Sequence, residues 1–149
     1  PGDVRRVLAE TVSYFENRSP QFGRHSFETD FEEVPDVLVN EELMGWALEN
    51  LLKNSIDAIG GRDSRIAVSV RPPVDGNYVR ITIQDNGRGI EPENAARVFE
   101  PGFSTKKRGW GLGLAFVKRI VEEYHCGRIH IARSEAGEGT AFEILLPAA

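Results

Sequence analysis

Tyr78-Val-Arg-Ile-Thr-Ile-Gln-Asp-Asn-Gly-Arg-Gly89 decides the fold. Val79, Ile81 and Ile83 alternate with polar residues, so the segment reads as a strand with one apolar face. Asp85 shares their parity and is expected on the core side at the strand's end, where a carboxylate is costly unless donors reach it. Two explanations stand side by side. Asp-Asn-Gly is good turn chemistry, and Asp85 can cap its own turn. Alternatively, the carboxylate accepts a hydrogen bond from a ligand's amino group. Thr140 has the parity of Phe142, Ile144 and Leu146, so a second polar side chain enters the same layer from another strand.

Working outward, Ile66, Val68 and Val70 form a second alternating segment, joined to the first through the turn residues Pro72 to Asn77. Arg128–Arg133 and Thr140–Leu146 read as two strands around the turn Ser134–Gly139. His25–Phe31 and Val37–Val39 are two shorter strand candidates. Between them fall three helices. Asp3–Asn17 carries Val4, Leu8, Val12 and Phe15 at helical spacing. A long helix starts after Asn40, an N-cap with Leu43 at the third helical position, and runs to about Ile59, where Gly60-Gly61 stops it. The third, from about Gly111 to Tyr124, turns Leu112, Phe116, Val117, Ile120, Val121 and Tyr124 inward. From Asp85 to Gly113 the chain is rich in glycine, charge and proline, with one helical turn near Asn94–Phe99. Strict β-α-β alternation is absent. The order predicts an α+β two-layer sandwich, one sheet with helices on a single face.

Composition narrows the function. A chain of 149 residues with 40% apolar and 28% charged residues suits one domain with one core. A net charge of -5 and a pI near 5.3 argue against nucleic acid as partner, since such surfaces are usually basic. The single cysteine, Cys126, excludes an internal disulfide framework and a cysteine-rich zinc site. No apolar run approaches the roughly 18 residues that span a bilayer, and no signal peptide is visible. The chain opens on Pro1 rather than Met, which sets the expectation of a fragment of a longer protein.

Candidate chemistry sits in three places. On the long helix, Asn50, Asn54 and Asp57 project within about 60° of one another at ~100° per residue. Met44, Leu48, Leu51, Leu52, Ser55 and Ile59 lie mostly on the other side. The stripe is either a solvated face or, since asparagine is a mediocre helix former, a set of oxygens for a hard cation such as Mg²⁺. Asp85 with Thr140 is the second place. The third is Arg108-Gly-Trp-Gly-Leu-Gly-Leu114, where Gly109, Gly111 and Gly113 precede a helix and form a phosphate cradle. Its spacing is neither the dinucleotide fingerprint nor the P-loop. Upstream, Ser104-Thr105-Lys106-Lys107-Arg108 brings hydroxyls and cations within reach of a phosphate, or else forms a solvated basic loop.

Taken in order, these elements resemble a known family. Glu49 to Ala58 resembles the N box of sensor histidine kinases, Asp85 to Gly89 the G1 box, Phe99 to Lys106 the F box, Gly109 to Leu114 the G2 box, and Gly137-Glu-Gly-Thr140 a last, G3-like motif. The chain is identified as a member of the GHKL superfamily of gyrase, Hsp90, histidine kinase and MutL. Its F box and short lid favour the histidine-kinase branch. The resemblance implies a Bergerat fold: a mixed sheet backed by three helices, with ATP between the helices and a mobile lid. It implies that all 149 residues are one ATP-binding catalytic domain.

Carried over by position, Asn54 matches the Mg²⁺-ligating asparagine and Asn50 the position one turn earlier, near metal and phosphates. Asp85 matches the acid that bonds adenine N6, and Thr140 its hydroxyl partner. Gly87, Gly89 and Ile90 match the start of the lid. Phe99 and Phe103 match lid aromatics. Ser104, Thr105, Lys106 and Lys107 match the lid's phosphate-facing stretch, with one of the lysines reaching the terminal phosphate. Gly109, Gly111, Leu112, Gly113 and Leu114 match the phosphate-proximal loop.

Two departures matter. Many members carry a phosphate-touching lysine where this chain has Asp57. Gyrase-type members carry a catalytic glutamate where this chain has Asn50, which argues against fast water activation.

The implied function is ATP-dependent phosphotransfer to a histidine on a separate dimerisation domain of the same protein, and from there to a downstream response regulator. The alternatives are a serine kinase of the anti-sigma type and a non-catalytic nucleotide-binding pseudokinase module. None of His25, His125 and His130 has the helical setting, followed by an acid, of a phosphoacceptor. All three read as surface or capping residues. The implied whole protein is a homodimer, the isolated domain a monomer, and the location cytoplasmic, either free or as the cytoplasmic part of a membrane-anchored sensor.

Overall fold

The computed structural model describes residues 1–17, 25–59, 64–74, 77–90, 92–95, 97–100, 113–135 and 137–149. The elements are α1 Val4–Asn17, β1 His25–Phe31, α2 Glu41–Ile59, β2 Ser64–Arg71, β3 Tyr78–Asp85, the single turn α3 Pro92–Ala95, α4 Gly113–Arg119 continuing into a π-helical turn Ile120–Tyr124, β4 Arg128–Glu135 and β5 Gly139–Pro147. The five strands make one mixed sheet in the order β1-β2-β3-β5-β4. Only β1 and β2 run parallel. The expected two-layer α+β architecture holds.

The alternation read from the sequence places the core. Ile66, Val68 and Val70 of β2, Val79, Ile81 and Ile83 of β3, and Phe142, Ile144 and Leu146 of β5 are all buried on one face. Register brings them level: Ile83 stands opposite Val68 on one side and Phe142 on the other. Leu8, Val12 and Phe15 of α1, Leu48, Leu51 and Leu52 of α2, and Val117, Ile120 and Val121 of the last helix cover this face. Fully burying one such side chain contributes roughly 1.5–3 kcal/mol. The long helix begins as its cap predicts, with the Leu43 N–H donating to Asn40 Oδ1 at 3.0 Å. Its expected glycine stop, Gly60-Gly61, lies outside the described residues.

Three local expectations need correction. Val37–Val39 is not a strand. Val37 makes isolated bridges to Gly2 and Ala148, so it clasps the two ends of the chain. Pro35 lacks the N–H a longer ladder would need, and Leu38 points to solvent. Phe116 and Tyr124 do not face inward: they are 41% and 59% exposed. Phe116 stands at the edge of the stripe centred on Val117 and Ile120. Tyr124 lies in the π-helical turn, whose wider ladder slips the stripe out of phase and rotates the ring outward.

The same turn explains His125, which is buried rather than a surface residue. Its Nδ1–H donates to the Ile120 carbonyl at 2.9 Å. Its Nε2 accepts the Asn40 N–H at 3.0 Å. One imidazole thus closes the last helix and holds the start of α2. His130 sits on the outer sheet face as expected, 3.0 Å from Glu143.

Cys126 follows with φ 56, the left-handed conformation that glycine adopts more easily. Its side chain is exposed. Cys126→Gly should therefore raise stability by roughly 0.5–1 kcal/mol, and Cys126→Val should lower it. Urea midpoints of the three chains check this; an unchanged midpoint with glycine would show that the turn carries no strain.

Candidate functional site

Asp85 closes β3 with its side chain on the core side, 5% exposed. Its Oδ1 accepts the Gly87 N–H at 2.8 Å and the Thr140 N–H at 3.3 Å. The turn-capping explanation holds: Oδ1 caps the turn, and Oδ2 accepts no hydrogen bond from the described residues. The buried Ser55 hydroxyl of α2 also faces the carboxyl and lowers its pKa, yet stands outside hydrogen-bonding geometry with any described atom. Burial outweighs these donors and pushes the Asp85 carboxyl above the ordinary aspartate range. The Asp85 carboxyl and the buried, unpartnered Ser55 hydroxyl stand together at the end of β3, where a polar group that offers an amine can donate to them.

The surrounding backbone is fitted closely. Gly139 has φ +127, and a β-carbon there would stand 2.0 Å from the Asp85 carbonyl oxygen. Only glycine lets the β4–β5 turn lie against the end of β3. Thr140 is buried, as its parity predicts. Its Oγ1 lies 3.1 Å from Ser134 Oγ, which in turn accepts the Ile90 N–H at 2.7 Å. The Gly137 N–H reaches the Arg88 carbonyl at 2.7 Å. Gly87, Gly89 and Ile90, spread along one loop in sequence, are thereby tied to the turn beside Thr140. Ser134 is the residue that sequence reasoning missed. The sequence pattern ends this strand at Arg133 and gives Ser134 to the turn, whereas the strand runs on to Glu135 and its register puts Ser134 directly opposite Thr140.

The polar stripe lies on the same helix as Ser55. Asn50 and Asn54 are half-buried and Asp57 is exposed. Asn50 spends its Nδ2–H on the Trp46 carbonyl at 2.8 Å, which turns Oδ1 the other way. That oxygen lies 3.7 Å from where a Gly113 β-carbon would stand, at the start of α4. An amide oxygen and a helix N-terminus therefore face each other across the space between α2 and α4, with Leu114 packed on the core behind. Phe99 stacks edge-on against the core ring of Phe142 at 6.1 Å, so it anchors the base of the expected lid rather than its tip. Phe103, Ser104, Thr105, Lys106, Lys107, Gly109, Gly111 and Leu112 lie outside the described residues. Among the described residues no cluster of three or more His, Cys, Asp or Glu could hold a metal ion. A cation here would rest on amide oxygens and on the ligand's own phosphates.

With this geometry in hand, the chain belongs to the family of histidine kinase-, DNA gyrase B-, and HSP90-like ATPases, whose model matches residues 39–149. Within that family its similarities fall among sensor histidine kinases. It is 38% identical over 114 residues to the sensor histidine kinase ZraS of Escherichia coli K12, covering 76% of this chain and 23% of that protein. The mycobacterial sensor histidine kinase MprB superposes with a TM-score of 0.79 at 30% identity, covering 98% of this chain and 95% of that one. Full-length ShkA in complex with AMPPNP gives a TM-score of 0.80 at 26% identity, covering all of this chain and 31% of that one. The chain spans about a fifth of the length of the curated relatives it matches first.

The raised pKa sets a sign for pH dependence. Asp85 contributes stability that is fully present below the ordinary aspartate pKa of 3.8 and is lost as pH rises through its higher folded value. Asp85→Asn removes this loss. In the ligand-free chain the variant's melting temperature should gain on the original as pH rises from about 4 to 7, and the gap should close in acid. A gap independent of pH would show that the carboxyl does not titrate in a buried setting.

Proposed function

We propose that this chain is the catalytic domain of a two-component sensor kinase, which binds Mg-ATP and donates the γ-phosphate to a histidine on a separate dimerisation domain of the same protein. The observation that carries the reading is the buried, half-satisfied Asp85 carboxylate. Its open oxygen suits the amino group of adenine, and an acceptor-only group opposes the carbonyl of guanine. Thr140 and the Ser134 bridge hold the strand ends that shape this seat. Asn54 supplies a neutral amide oxygen for Mg²⁺, Asn50 stands one turn earlier near metal and phosphates, and the N-terminus of α4 faces the phosphates with its partial positive charge. Bound ATP supplies the phosphoryl group. The protein's part is to position it and neutralise its charge.

The acceptor is assigned to another domain because His125 is locked between two backbone groups and His130 faces Glu143 on a strand. Asn50 lacks the carboxylate a water-activating base requires. A response regulator is the downstream partner in this reading, and the whole protein works as a homodimer on the cytoplasmic side. No described helix is long and apolar enough to cross a membrane.

Two experiments test this. Asn54→Ala should lower Mg-dependent ATP affinity about tenfold or more while leaving adenosine binding and the melting curve little changed. Equal loss for both ligands would remove the metal role. Asp85→Asn should weaken ATP, and GTP should bind the original chain poorly; equal binding of the two nucleotides would overturn the base-reading role.

Phosphotransfer is tested with radiolabelled ATP. The chain alone should not label itself, and label should appear on an added acceptor domain as acid-labile phosphohistidine. Acid-stable label would assign a serine kinase, and no label with any acceptor a nucleotide-binding module.

A further inference from the structure

A groove of about 280 Å³ runs between α1 and α2. Tyr14 and Trp46 line it, 40% and 48% exposed, together with Glu10, Glu42, Glu49 and Gly45. Four glutamates border the opening, and Arg6 neutralises only Glu41. Among the described residues, Glu10, Glu42 and Glu49 make no ion pair or hydrogen bond, and the Trp46 ring stacks on no other ring.

Gly45 carries the argument further. A glycine inside a helix weakens it relative to alanine, and such a position normally repays this by admitting a close neighbour. Here a β-carbon would meet nothing within 4 Å. The fold itself makes no use of the missing side chain. What its absence creates is depth in the groove floor, beside an exposed indole.

We propose that this groove is a docking site for a helix of a partner protein domain that presents arginine side chains. A third helix is the shape that fits between two packed helices. Glu42 to Glu49 covers two turns, about 10 Å of helix axis, which matches two turns of a partner. The chemistry selects arginine. A planar guanidinium stacks on the open face of Trp46 and still offers its edge to flanking carboxylates, so one side chain satisfies both features of the groove. The proposal does not rest on the nucleotide reading, because none of the residues that line the groove is assigned to nucleotide or metal.

The test uses the 149-residue chain. An alanine-based helical peptide with four arginines along one face is titrated into it and followed by NMR, with a glutamate-for-arginine peptide as control. Shifts should concentrate on Glu10, Gly45, Trp46 and Glu49 with the first peptide, and be absent with the second. Gly45→Gln fills the groove floor. It should weaken the arginine peptide at least tenfold while the urea midpoint stays equal or rises and binding of an ATP analogue is unchanged. Trp46→Ala should weaken the peptide by a similar factor. Shifts spread evenly over the acidic surface, undiminished binding to the Gly45→Gln chain, or self-association of the chain through these residues in sedimentation would each overturn the proposal.

Discussion

The Asp85 carboxylate is the constraint on which the rest of the site depends. A charged group at the core end of a strand is tolerated only with donors, and the structure supplies two backbone N–H groups to one oxygen. Both donors come from tight, glycine-containing turns. To bring the Thr140 N–H there, the β4–β5 turn must lie against the end of β3 at a distance no β-carbon permits. The position of Thr140, the Ser134 bridge and the path of Ile90 follow from that contact. The donors are sufficient to hold the group and insufficient to satisfy it, which is the condition for a ligand to bind there and gain from doing so.

Helix α2 is shared among three environments. One face packs Leu48, Leu51 and Leu52 into the core, one carries Asn50 and Asn54 toward α4, and one forms the wall of the acidic groove with α1. Trp46 stands at the crest between the last two, and its carbonyl fixes the orientation of Asn50.

The ends of the helices are coupled through His125. The π-helical turn widens the backbone ladder, and the imidazole spans from the Ile120 carbonyl to the Asn40 N–H. Both ring nitrogens are engaged, Nδ1 with the carbonyl and Nε2 with the N–H. It links the last turn of the helix that begins at Gly113 to the first turn of α2.

Local pattern sufficed for whatever depends on period and chain order. Alternation in β2, β3 and β5 was enough to place Asp85 and Thr140 on the core face, and helical spacing was enough to put Asn50, Asn54 and Asp57 on one stripe, because side-chain direction along a strand or helix is set by backbone geometry alone. The Asn40 cap was likewise readable from its own four residues. What needed tertiary structure depends on residues distant in sequence. Val37 finds its partners 35 residues back and 111 residues ahead, so no local signal marks it as a clasp rather than a strand. The π-helical turn that rotates Tyr124 outward is held by a histidine bonded to Asn40, 85 residues away. The groove at Gly45 exists only where α1 and α2 meet, since a glycine's empty space becomes visible only once its neighbours are in place.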